Sequence, residues 1–328
     1  MSAFVLSFMF FKKYDYVDKK PLMKDSEFLS FATIKRYPRL VIPIFLTSFV
    51  MWVFYRLNFV YSDEVVPISN STDWLSDAFP LNNKYPNFLH LIRVSFVDLF
   101  MKGDISYNNV LWTIKYEFFG SLLVFAILAL FGRSVFRYLV YFILVLKFGN
   151  TEYMAFIIGI FLADMFYSNE FKSFRSFFSK PFVSTTLFLF GMYMGSYSKG
   201  INSKYYSWMN ILGGGAGDNY KWIYTTGATF IVLSLLYNKW LQKIFSVPWL
   251  LFCGRISYAM YLLHSILIGT VASYVMYVLH SDNYSYGISV GLTFFIFMVL
   301  LFAGSFYFTK YVDERQVSKT KEILKRFS

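Results

Sequence analysis

The chain has 328 residues, enough for one or two soluble domains, but 57% are apolar and only 15% charged, against about 45–50% and about 25% in soluble proteins. With 41 Phe, 27 Tyr and a positive mean hydropathy of +0.48, it cannot cover its apolar surface with polar groups; a soluble class is excluded and lipid is its solvent. The formal charge of +12, from 31 Lys and Arg over 19 Asp and Glu, reads as cationic cytoplasmic loops rather than a nucleic-acid surface.

In chain order, the first apolar stretch runs from Met1 to Phe11 and stops at Lys12 and Lys13. At about 1.5 Å per residue it covers half a bilayer. Its basic residues follow the apolar core, the reverse of a signal peptide. A basic loop is predicted over 12–40, with Lys12, Lys13, Lys19, Lys20, Lys24, Lys35, Arg36 and Arg39. Spans, each needing about 20 mostly apolar residues, are predicted near 41–60, 110–131, 135–148, 152–168, 182–197, 222–238, 252–279 and 286–309. The expectation is eight full spans plus the partial N-terminal one.

The loop at 61–109 is poorly basic and carries Asp63, Glu64, Asp73, Asp77 and Asp98. Basic groups recur at Arg133 and Arg137, at Lys172, Arg175 and Lys180, at Lys239 and Lys243, and in the tail 310–328. Their alternation with poorly basic loops places 12–40 and 310–328 in the cytoplasm and 61–109, 198–221 and 280–285 outside. The predicted fold class is all-α: a polytopic transmembrane helix bundle, one membrane-embedded domain over 1–328, in an integral protein of the cytoplasmic membrane. Neither a repeat nor a second domain is evident in the sequence.

Three segments carry chemistry. In Lys35-Arg36-Tyr37-Pro38-Arg39, the two arginines are three apart and share a face if the helix has begun. Guanidinium forks bind phosphates bidentately, so the pair suits an anionic cytoplasmic ligand; plain positive-inside anchoring is the competing reading. In Leu111 to Ser121, Glu117 is a carboxylate within a span, which costs a few kcal/mol and marks either a functional site or a structural glutamate bonded to neighbouring helices. Lys115 can snorkel to the interface, and Trp112 alone would be an interfacial belt residue.

In Cys253 to His264, Ser257, Tyr261 and His264 recur on one helix face, aiming hydroxyls and an imidazole into the bundle. A satisfied core histidine is the plainer alternative. His90 and His280 have no constellation around them. Three His and one Cys make no structural zinc site, and no metal is expected. The lone Cys253 has no internal disulfide partner. Gly213 to Gly217 follows no strand, so it is not a dinucleotide fingerprint. Asn70-Ser71-Thr72 and Asn283-Tyr284-Ser285 match the glycosylation sequon.

In order along the chain, these segments resemble acyltransferase family 3, a family of integral-membrane acyltransferases. Leu111 to Ser121 looks like its W-[ST]-x-x-x-E-F pattern, and Gly254 to His264 resembles its G-x-[IL]-S-Y-x-x-Y-L-x-H segment. Arg36-Tyr37-Pro38-Arg39, followed by Pro43, is similar to its R-x-x-R pair. Ala3 to Met9 looks like its F-V-L-S-G-F, with Phe8 where glycine is usual. Tyr311-Val312-Asp313 resembles the acidic end of its last span, without the proline that usually follows.

The resemblance implies transfer of an acyl group, commonly acetyl from cytoplasmic acetyl-CoA, to a hydroxyl of a cell-envelope or exported carbohydrate. The partners it implies are acyl-CoA, a glycan acceptor and the bilayer, with no permanently bound cofactor and no nucleic acid. By position, Arg36 and Arg39 would hold the CoA phosphates. Glu117 and His264 would be the catalytic groups, and Trp112, Ser257, Tyr258 and Tyr261 would bind substrate. The family's catalytic histidine belongs to a helix ahead of the F-V-L-S-G-F segment, the first of ten, and His90, after the span at 41–60, cannot replace it. The expectation is that this helix is missing here, through a start codon placed too late or a truncation that abolishes transfer. The reading from another class is a transporter or flippase for a lipid-linked sugar.

Overall fold

The computed structural model describes residues 2–12, 25–69, 74–79, 87–198, 204–212 and 220–325. Among them all regular structure is helical. The main helices are α1 (Ser2–Lys12), α2 (Asp25–Arg56), α3 (Trp112–Phe131), α4 (Arg137–Phe148), α5 (Tyr153–Tyr167), α6 (Pro181–Gly195), α7 (Lys221–Tyr237), α8 (Pro248–Leu267), α9 (Tyr286–Phe308) and α10 (Glu314–Lys325). π-Turns at Ile268–Ala272 and Thr309–Asp313 carry α8 on into Ser273–Ser281 and α9 into α10.

Among the described residues four helices are long and apolar enough to cross a bilayer: Asp25–Arg56, Asn109–Phe131, Pro248–Ser281 and Tyr286–Thr320. Helix α5 and the helix after it, bent by 82° across Ser168, make a fifth when taken together as one broken span. The eight expected spans are therefore not confirmed. The runs at 135–148, 152–168 and 182–197 fold as helices of 12, 15 and 15 residues. At about 1.5 Å per residue these fall short of the roughly 30 Å of hydrocarbon.

The basic loop expected over 12–40 is also corrected. Its second part is helix from Asp25 onward, with Asp25 and Glu27 in the first turn, where acidic side chains complement the helix dipole. The sites at Asn70 and Gly213 to Gly217 lie outside the described residues.

The chain divides into two compact units: residues 1–33 with 119–250, and residues 34–118 with 251–328. In the first, α1 packs on α5, burying Ala3, Ser7, Phe10 and Phe11 in a core with Phe125, Leu128, Ile157 and Ile160. Helices α6 and α7 meet glycine to glycine. A Cβ on Gly191 would stand 2.7 Å from the Gly227 carbonyl oxygen, and one on Gly227 2.9 Å from the Met194 Cβ. Such small residues allow the backbone approach that binds helices where hydrophobic driving force is weak.

The same unit holds a buried ion pair, Arg137 Nε to Asp164 Oδ2 at 2.6 Å, to which Tyr141 donates a longer bond of 3.4 Å. In the second unit, Leu40, Ile44, Leu99, Phe100, Leu111, Ile114 and Leu262 form the core that positions the functional residues. Tyr37, Phe118 and Tyr258 pack against it.

Candidate active site

All the residues described here belong to the second unit. Because α2 begins at Asp25, Arg36 and Arg39 lie within a formed helix, yet their environments differ. Arg36 is 7% exposed and its guanidinium pairs with Glu117, which is 29% exposed. Arg39 is exposed, and among the described residues it has no ion-pair partner. Tyr37 between them donates its hydroxyl to the Phe96 carbonyl at 2.6 Å and lays its ring against Phe100 and Phe118. That anchor holds Arg36 on the inner side of the helix.

An ion pair of this kind explains how a glutamate persists in an apolar segment: each charge offsets the other's desolvation. The Tyr258 phenol lies within electrostatic range of Asp313, Arg36, Arg39 and Glu117. Its hydroxyl is buried and has no hydrogen-bond partner among the described residues, and Asp313 Oδ1 is likewise buried and unmatched there. Asp313 is brought there by the π-turn at Thr309–Asp313, a local insertion that often marks functional positions. Two cations, two carboxylates and a phenol from four helical segments thus converge.

A second set of bonds ties the start of α3 to α8. Tyr261 donates to the Val110 carbonyl, so the 2.7 Å bond between its oxygen and Thr113 Oγ1 has threonine as donor. Asn108, 2% exposed, caps the turn before α3 by accepting from the Val110 amide at 3.3 Å. It also donates to the Leu262 carbonyl at 2.9 Å. Ser265 donates to Asn109 Oδ1. These links place α8 in one register against the Glu117 helix.

His264 lies half-buried beside the Tyr261 ring, 6.0 Å between centroids. Its Nδ1 is 3.1 Å from the Met260 carbonyl. A carbonyl only accepts, so Nδ1 is the donor in this contact, and Nε2 is the ring nitrogen left to accept.

The structure therefore brings Arg36 together with Glu117, and Tyr258 with both. It places Tyr261 against the start of α3, where it bonds Thr113. Two expected site residues do not follow the interior stripe. Ser257 is exposed and donates to its own helix at the Gly254 carbonyl, 2.9 Å away, because the stripe rotates off the packed face toward the start of α8. Trp112 is 52% exposed and rests edge-on against Tyr116.

His90, set aside in the sequence, bonds the buried Tyr107 hydroxyl at 2.9 Å. Asn108, Asn109 and Gln316 were not singled out from the sequence. An asparagine just before an apolar run is a helix-start signal that finds the first two; nothing local marks Gln316. Among the described residues no cluster of His, Cys, Asp or Glu could hold a metal ion.

No curated protein and no solved structure shows a significant match to the chain. The family model of acyltransferase family 3, described as an acyltransferase domain, matches residues 2–310, which takes in Arg36, Arg39, Glu117, Tyr258, Tyr261 and His264 but stops short of Asp313. With its membrane-like helices this supports a membrane acyltransferase, and on that match the chain belongs to acyltransferase family 3.

Proposed function

We propose that the protein transfers an acyl group, acetyl in the first instance, from cytoplasmic acyl-CoA to a hydroxyl of a cell-envelope or exported carbohydrate, in the cytoplasmic membrane. The observation that carries this reading is the convergence of Arg36, Arg39, Glu117, Tyr258 and Asp313, a cluster of charged and polar groups that a helix anchor alone does not require. Arg39, exposed and without an ion-pair partner, is the group suited to a CoA phosphate. Arg36, held by Glu117, sets the charge around the thioester end. His264, with its Nε2 lone pair outward from the Met260 bond, is the base.

In the proposed step the acceptor hydroxyl oxygen forms a bond to the thioester carbonyl carbon as His264 Nε2 takes its proton. The carbon–sulfur bond breaks, and the CoA thiolate leaves and takes up the proton. The ester remains on the carbohydrate. In this reading Tyr258 and Tyr261 line the acceptor side, while Trp112 and Ser257, turned away from the packed face, do not.

Membranes carrying the protein and supplied with acetyl-labelled CoA should gain label in carbohydrate, and hydroxylamine should release that label as acetohydroxamate, as it does from an ester. Arg39→Ala should weaken acyl-CoA binding by about 1.5–3 kcal/mol, the range of charge-assisted bonds. Arg39→Lys should restore only part, because an ammonium lacks the fork. Wild-type acyl-CoA binding by Arg39→Ala would reject the phosphate role. Movement of a lipid-linked sugar across vesicles without ester formation would favour the transporter instead.

A further inference from the structure

A cavity of about 560 Å³ lies in the second unit between the early turns of α2 and the Thr309–Asp313 turn with α10. One wall is the stripe Ile34, Pro38, Ile42 and Leu46, residues four apart on a single helix face. It runs about 18 Å along the axis, with Ile34 59% and Ile42 40% exposed. The facing wall carries Arg315, Gln316 and Lys319.

The cavity's charge is one-sided. Arg315 and Lys319 are exposed and one turn apart, and neither has a carboxylate partner among the described residues. The adjacent Glu314 is taken by Arg255 at 2.6 Å. Arg315 lies over the Tyr311 ring, 5.5 Å from its centroid, which holds the guanidinium at the rim. Gln316 is 7% exposed. Its Nε2 donates to the Pro38 carbonyl, while its Oε1 is buried without a partner among the described residues.

An apolar trough, two uncompensated cations and a buried unused acceptor describe one kind of ligand. We propose that the cavity binds an anionic glycerophospholipid with a hydroxyl-bearing headgroup, of the phosphatidylglycerol class. One acyl chain lies along Ile34, Ile42 and Leu46, the phosphate meets Arg315 and Lys319, and a headgroup hydroxyl donates to Gln316 Oε1. Acyl-CoA fits less well, since its pantetheine arm is polar along the length where this trough is apolar. The bound lipid braces α2, which carries Arg36 and Arg39, against the last helix. The inference does not rest on acyl transfer, because lipid retention is measured without turnover.

The test is lipid retention by the full chain, purified in mild detergent and reconstituted in phosphatidylcholine nanodiscs doped with phosphatidylglycerol, read by native mass spectrometry. The wild type should retain phosphatidylglycerol in preference to phosphatidylcholine. Arg315→Gln with Lys319→Gln should lower that retention about tenfold or more. Ile42→Trp, which fills the trough with the charges intact, should lower it too. Lys243→Gln, an exposed cation in the other unit, should not, which guards against a general loss of structure. Equal retention of both lipids by the wild type, or undiminished phosphatidylglycerol on the double variant, would overturn the proposal. So would a cavity that takes acyl-CoA and excludes phosphatidylglycerol.

Discussion

Arg36 and Arg39 are the same residue type three positions apart, and the structure gives them separate work. Arg36 is buried against Glu117, so removing either partner takes away the main compensation of the other's charge. Arg36→Ala should cost about 3–5 kcal/mol, whereas replacing both partners by apolar side chains of similar size should recover most of it. Thermal unfolding in detergent of the two single variants and the double variant measures the coupling. If the single variant melts like wild type, the pair contributes nothing to stability. Arg39→Ala should stay within about 0.5 kcal/mol of wild type in the same assay, as exposed substitutions do.

Outside the apolar spans, Asp98 accepts from Lys102 and from Arg93, each at 2.9 Å. The Lys102 hydrogen bond, with help from Arg93, holds its carboxyl below the usual carboxylate range. A group lowered on folding stabilises above its unfolded pKa, near 4, and that contribution fades as pH falls through the folded value. The melting-temperature gap between wild type and Asp98→Asn should therefore be constant near neutrality and shrink below about pH 4. A gap that widens in acid would contradict the assignment.

At the scale of the element, α2 shows why loop and helix were confused. Its first turns are polar and basic, and Pro38 and Pro43 stand inside it, signals that read as loop and helix stop. The helix continues because each proline costs it only one backbone bond, to the carbonyl four residues earlier (Ile34 and Arg39), while Leu40, Val41 and Ile44 hold it in the core. Gln316 donates to the Pro38 carbonyl, and Thr47 donates to the Pro43 carbonyl at 3.0 Å. Packing also decides α6 and α7, whose glycines touch backbone to backbone. Gly227→Leu should push the two helices apart and cost about 3 kcal/mol through overpacking. Gly227→Ala should cost less, and a melting curve that ranks them the other way would count against the close approach.

For the molecule as a whole, the topology expected from the basic clusters remains a proposal: Pro38 and Gln316, from two segments assigned to the cytoplasm, are hydrogen-bonded, whereas Tyr37 bonds Phe96 of the loop assigned outside. In a Cys253→Ser background, Asp63→Cys should react with a membrane-impermeant thiol probe in intact cells. Ser318→Cys should react only after permeabilisation. The opposite pattern would reject the topology.

Composition and hydropathy alone determine that the chain is helical and lipid-solvated, because backbone groups in lipid must be satisfied within each segment. The order of its short motifs is also linear information, and it was enough to identify the family. The number of spans was not readable, because an apolar window does not reveal where helical hydrogen bonding stops: residues 152–168 fill such a window, yet the helix at Tyr153–Tyr167 ends in a sharp bend. The split between Arg36 and Arg39, the inward Tyr258 and the outward Ser257 were decided only by tertiary structure. Which face of α2 or α8 is covered depends on residues such as Phe96, Asn108 and Gln316, tens to hundreds of positions away in the chain. Periodicity can define a helix face, but only the packed neighbours decide which charge is buried and which stays free to meet a ligand.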